Sequence, residues 1–153
     1  MRNYFVIGLL AGTLACRSHS SEQSATTQAT EKASASADTL CFRQVLSRDT
    51  TTLQLVINGD RVTGYLDNNP YEKDRARGPL EGTVQAGQIR VDWQRAGEGI
   101  TQPYVLDLLR QGDSISWLEG ERTEQQGKWV LKDPKAGYTY VLTKIDCSAT
   151  SVH

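Results

Sequence analysis

Acid–base and nucleophilic chemistry usually needs a base close to the reacting atom, and residues 39–147 contain no histidine. His19 and His153, the only two in the chain, lie outside that stretch. Ser-His-Asp and Cys-His arrangements are therefore excluded within any domain formed there. Paired carboxylates are another route, since two acids across a cleft hydrolyse glycosidic bonds. Glu98, Glu119, Glu121 and Asp92 are candidates, with Asp92 and Glu98 the least arbitrary pair. Acids at loop mouths and on outer strand faces more commonly serve solvation. The densest charged segment is Asn68-Asn69-Pro70-Tyr71-Glu72-Lys73-Asp74-Arg75-Ala76-Arg77-Gly78. It reads either as a solvated connection with local ion pairs or as a contact loop, where binding residues tend to sit. Glu72, Lys73, Asp74 and Trp93 are the candidate contact residues, because charges beside an aromatic offer both orientation and apolar area. Trp93, Trp117, Trp129, Tyr104, Tyr138 and Tyr140 alternate with other residues along β-rich runs. Such stripes usually fill an interior, so a packed core is expected there.

Composition narrows the classes further. The 153 residues carry 17 basic and 18 acidic side chains, a net charge of −1, which argues against nucleic acid as a partner. Three cysteines and two histidines are too few for a zinc cluster or an iron–sulfur site, and neither metal nor cofactor is expected. No run of 18 apolar residues is present, so no membrane-spanning helix is expected.

Arg2 precedes a 12-residue apolar stretch from residue 4 to residue 15, which as a helix extends about 18 Å, too short to span a bilayer. A basic start, a short apolar stretch and small residues mark residues 1–15 as an export signal. Thr13-Leu14-Ala15-Cys16 resembles the lipobox of bacterial lipoproteins, although Thr13 stands where that family prefers leucine. The resemblance implies acylation of Cys16 and attachment to a membrane. Arg17 is not the aspartate associated with inner-membrane retention, which points to the periplasmic face of the outer membrane. Thr13 and Ala15 also satisfy ordinary signal peptidase, which would release a soluble exported protein. The following residues, to position 38, contain no aromatic side chain and no Val, Ile, Leu or Met, so they cannot offset their ordering entropy. Residues 16–38 are thus expected to form a lipidated cysteine and a flexible linker of about 25 Å reach.

The domain, residues 39–147, begins and ends close to Cys41 and Cys147. With Cys16 assigned to lipid, the remaining pair in an oxidising compartment reads as a disulfide, the alternative being two buried thiols. Between them, Leu53, Leu55 and Ile57 alternate, then Asn58-Gly59 gives a hairpin signal before Val62, Gly64 and Leu66. A polar stretch over 67–78 follows. Ile89, Val91 and Trp93 alternate next, then Tyr104, Leu106 and Leu108, then Ile115 and Trp117. Trp129 and Leu131 mark a further strand before Tyr138, Tyr140 and Leu142. Strands joined by tight turns predict an all-β fold, a single antiparallel up-and-down meander barrel of about eight strands. Residues 148–153 are left as a tail.

Gly64-Tyr65-Leu66, Tyr71-Glu72-Lys73-Asp74, Gly78, Gly82, Val91-Asp92-Trp93, Glu98-Gly99 and Gly120 together resemble a group of small Gram-negative lipoproteins with no assigned activity. The resemblance implies a lipidated cysteine, a spacer and a β-rich domain ending in a cysteine, but no chemistry. A lipocalin-like cup is the alternative to a filled barrel, although the Gly-x-Trp signature of lipocalins is absent. Cys-x-x-Cys, expected of copper-sensing envelope lipoproteins, is absent too. The expected function is a non-enzymatic binding or structural module of the envelope. Its partners would be the membrane, through the anchor, and a small apolar ligand or an envelope protein. The alternative is a carboxylate-dependent hydrolase of envelope glycan.

Overall fold

The computed structural model describes residues 37–149. The signal, Cys16, nearly all of the linker and most of the tail lie outside the described residues. Among the described residues there are ten strands: β1 (Asp38–Leu46), β2 (Asp49–Asn58), β3 (Arg61–Asn69), β4 (Ala76–Gln85), β5 (Gln88–Gly97), β6 (Ile100–Gln111), β7 (Ser114–Glu119), β8 (Arg122–Gln125), β9 (Lys128–Leu131) and β10 (Tyr138–Ile145). Strands β1 to β7 pair in sequence order, β7 pairs with β10, and β10 closes on β1, all antiparallel. The result is a closed, eight-stranded up-and-down barrel. β8 and β9 form an added hairpin whose only barrel pairing is a parallel bridge from Trp129 to Tyr104 of β6.

Period-two alternation places one face of every barrel strand in the lumen. Leu40 and Phe42 of β1, Leu53 and Leu55 of β2, Val62 and Leu66 of β3, and Leu80 of β4 are buried there. Ile89, Val91, Leu106, Leu108, Ile115 and Leu142 complete the packed layer. The outer face instead carries ion pairs such as Arg90–Asp107 at 2.9 Å and Lys128–Asp92 at 2.6 Å. A lipid-facing barrel has the opposite arrangement, with an apolar outer band and a polar lumen, so this exterior suits water.

The two ends differ. At one, two-residue turns at 59–60, 86–87 and 112–113 join the strands, and Cys41 and Cys147 are bonded with their Cα atoms 5.2 Å apart. The β2–β3 turn is Gly59-Asp60, one residue later than the Asn58-Gly59 signal implied. Asn58 pairs with Arg61 in the ladder, and Gly59 takes a φ of 63°, which a two-residue hairpin with glycine first requires. The other end carries the longer connections at 70–75 and 120–137.

Half of the polar stretch over 67–78 is strand. Asp67 pairs with Arg77 and Asn68 with Ala76, leaving only 70–75 as loop. Polar side chains belong at the barrel rim, where water reaches them, so low hydrophobicity did not mean loop. Buried Asp67 accepts hydrogen bonds from Arg75 Nε at 2.8 Å and from the same guanidinium's Nη2. That pair, with Arg48 stacked 4.2 Å over Tyr71 and the Tyr71 amide donating to Asp49 at 2.7 Å, pins the loop at both sides.

Two seams open towards the loop end. β1 and β10 pair only from Cys41–Ile145 to Arg43–Thr143. Beyond that, Gln44 Nε2 donates to the Val141 carbonyl at 2.7 Å, and the Tyr140 hydroxyl shares a 2.7 Å hydrogen bond with Thr51 across the gap. β6 and β7 pair only from Leu109–Ser116 to Gln111–Ser114. There the Arg122 guanidinium enters the wall and donates to the carbonyls of Val105 at 3.0 Å and Trp129 at 3.3 Å. Side chains thus bridge both seams, and at the β6–β7 seam they satisfy part-buried carbonyls that the ladder no longer reaches.

Candidate functional site

The packed layer stops part-way up the barrel. Above it, at the loop end, lies an open cavity of about 430 Å³. Trp93 and Trp117 line it while remaining only 5% and 6% exposed, so they sit on the core and face the hollow. Tyr104, Trp129, Tyr138 and Tyr140 supply further wall. The expectation of a filled interior therefore holds for the disulfide end and fails for the loop end. The physical reason is that the rings stack along the wall instead of meeting across the lumen. Trp117 lies on Tyr140 with centroids 4.9 Å apart, and Tyr104 on Trp129 at 6.1 Å, both nearly parallel. Offset stacking satisfies the ring quadrupoles in pairs and leaves the space between pairs open.

The polar lining is organised around one carboxylate. Trp117 Nε1 donates to Glu119 Oε1 at 2.7 Å, and Arg122 Nη2 donates to Glu119 Oε2 at 3.3 Å. The Arg122 side chain is 8% exposed and that of Glu119 26%, so their charges compensate each other in a largely desolvated place. Arg122 also stacks 5.1 Å from the Tyr104 ring centre. Tyr138 stands at the rim. Its phenol is held above the ordinary tyrosine range, first by partial desolvation, then by the Glu119 charge and by Tyr140. It is therefore a neutral donor at physiological pH.

Arg95 and Trp93 differ from these. Arg95 lines the cavity with its guanidinium 5.4 Å from the Tyr104 ring and 6.0 Å from the Trp93 ring. Among the described residues it has no carboxylate partner. The buried indole Nε1 of Trp93 has no hydrogen-bond acceptor. Gly78 lies against the same wall, where a Cβ would collide with the Gln94 carbonyl, so the backbones approach closely beside the Trp93 ring.

Of the four candidate contact residues, only Trp93 lines this cavity. Glu72, Lys73 and Asp74 are exposed on the 70–75 loop at the same end of the barrel. Asp92 points outward to Lys128, Glu98 lies in the exposed β5–β6 turn, and Glu121 pairs with Lys132 at 2.8 Å. Glu119 is the one carboxylate in the lining, so the cavity does not set two acids against each other. Among the described residues no group of three or more His, Cys, Asp or Glu side chains converges as a metal would need.

Sequence reading missed Arg95 and Arg122 and gave Glu119 the wrong setting. A signal for two of them was present in the alternation. Ile89, Val91 and Trp93 continue in register to Arg95, and Ile115 and Trp117 to Glu119. An inward face that turns from aliphatic to aromatic to charged is approaching an open mouth. Arg122 left no such signal, because it reaches the wall from the added hairpin.

The closed eight-stranded meander fits a calycin-like fold. No family model, curated protein or solved structure matches the chain.

Proposed function

We propose that the protein is a lipid-anchored envelope protein whose barrel binds a compact, ring-bearing molecule without transforming it. The observation that carries this reading is the 430 Å³ cavity, whose lining includes all three tryptophans of the chain and three of its tyrosines. Small-molecule sites are concave, range from about 300 to 1,000 Å³, and combine aromatic walls with a few placed polar groups. The filled disulfide end leaves no room for a long acyl chain, which favours a short, flat ligand. The lining supplies neither a histidine nor a second carboxylate for hydrolysis.

The anchor is proposed from sequence: Cys16 directly follows the apolar stretch and precedes a spacer without large apolar side chains. Two or three acyl chains hold a protein at a bilayer stably, whereas one does so only marginally. The reading places the barrel at the outer membrane, facing the periplasm. β1 begins at the disulfide end, so a chain joined ahead of Asp38 enters the barrel opposite the mouth. Replacing Cys16 with serine should move the protein from the membrane to the soluble fraction; unchanged membrane association would refute the anchor. The binding half is tested with N-phenylnaphthylamine, an uncharged aromatic probe. Saturable energy transfer from tryptophan to the probe is expected, with a gain of about 2.7 kcal/mol in stability at a hundredfold excess over Kd. Transfer that never saturates, with no thermal stabilisation, would count against a defined site.

A further inference from the structure

One charged group in the cavity, Arg95, is left without a carboxylate partner among the described residues. Arg95 brings a full positive charge and five N–H donors into an aromatic corner where no acid meets it. The faces of Tyr104 and Trp93 compensate part of its desolvation but accept none of its hydrogen bonds in the plane of the guanidinium. Trp93, its neighbour on the same strand, offers its ring to that corner while its Nε1 is buried in the wall. Both side chains point inward from β5, two residues apart on one face. The one carboxylate of the lining is already engaged, because Glu119 serves Trp117 and Arg122. The Arg122–Glu119 pair is neutral as a unit, so Arg95 leaves the lining with one excess positive charge.

We propose that the ligand of this cavity carries an oxyanion, a carboxylate or sulfonate on a flat ring, which the Arg95 guanidinium binds. The ring lies against the aromatic wall and the acidic group meets the guanidinium. This assignment rests on the cavity being a ligand site, and it adds the charge and polarity of what enters. Arginine is suited to the role because its planar fork matches an oxyanion with two parallel hydrogen bonds.

The test compares two probes that share a ring system, anilinonaphthalene sulfonate and uncharged N-phenylnaphthylamine, by fluorescence titration of the folded barrel. The sulfonate is expected to bind at least about tenfold more tightly, the effect of a charge-assisted hydrogen bond. Arg95→Gln should weaken the sulfonate by about tenfold or more and the uncharged probe by clearly less, so that the preference for the sulfonate is lost. Arg95→Lys, which keeps the charge, should recover part of the loss. Equal binding of the two probes, unmoved by Arg95→Gln, would overturn the oxyanion site while leaving the aromatic cavity as a binding site. Equal weakening of both probes by Arg95→Gln would overturn it as well, showing a structural role for the side chain. Failure of both probes to bind would remove the cavity reading and this one together.

Discussion

Replacing Arg122 with methionine is expected to lower stability by about 3 kcal/mol, because it strands Glu119 in a largely desolvated wall. Removing one partner of a buried pair typically costs about 3–5 kcal/mol, and the remaining exposure of Glu119 places the effect at the lower end. The same substitution leaves the Val105 and Trp129 carbonyls without a donor at the seam where β6 and β7 have parted. Methionine keeps much of the stem's packing, so the loss reports charge and hydrogen bonds more than volume. The check is a double-mutant cycle by denaturant unfolding. Glu119→Gln retains an acceptor for Trp117 Nε1 but no longer needs a cation. Adding it to Arg122→Met should restore part of the lost stability, a coupling of about 1 kcal/mol or more. Strict additivity of the two substitutions would show that the pair does not hold the wall.

Removing the disulfide is expected to be of comparable size, about 2–5 kcal/mol. The bond joins residues 106 positions apart and so restricts nearly the whole unfolded domain. In the chain-entropy account a closed loop of that order contributes up to about 4.7 kcal/mol. The location adds a second reason. β1 and β10 share only three paired positions, beginning at Cys41–Ile145, and that pairing alone closes the barrel. Without the bond the closure depends on these pairs and on the side-chain bridges of Gln44 and Tyr140. Cys41→Ala with Cys147→Ala, or a reductant with the unaltered chain, should lower the midpoint of thermal unfolding by many degrees. A midpoint indifferent to reductant would mean the clamp adds nothing to the barrel.

The barrel was legible because its lower wall is written in alternation. Leu53, Leu55 and Ile57, or Ile89, Val91 and Trp93, point inward at every second position, and no other secondary structure uses that spacing. Closure was legible through the cysteines, since a bond between the first and last strands makes neighbours of them. Two things escaped. Asp67, Asn68 and Arg77 looked like loop because their polarity was read as a break, whereas ladder pairing at a rim depends on backbone and tolerates polar side chains. The cavity escaped because alternation says which side chains point inward, not whether they meet across the lumen. Trp117 and Tyr140 point inward as expected, yet they stack on one another along the wall. The added hairpin of β8 and β9 was read as one more strand, although its Arg122 completes the site. Nothing local in the sequence connects residue 122 to the carbonyl of residue 105.

The central claim is that a small ring-bearing molecule enters the mouth of this barrel. Because Trp93, Trp117 and Trp129 are the chain's only tryptophans and all line the cavity, their three indole N–H resonances watch that space and little else. Titration of the nitrogen-15-labelled barrel with N-phenylnaphthylamine should therefore shift all three signals in a saturable way. Core methyl groups such as those of Leu53 and Ile115, at the packed level, should stay in place. Asn68 lies at the rim of the same cavity, and Asn68→Phe should fill the mouth and abolish the shifts in a barrel that remains folded. Three indole signals that stay fixed up to the solubility of the probe, or that move equally in Asn68→Phe, would contradict a ligand site in this barrel.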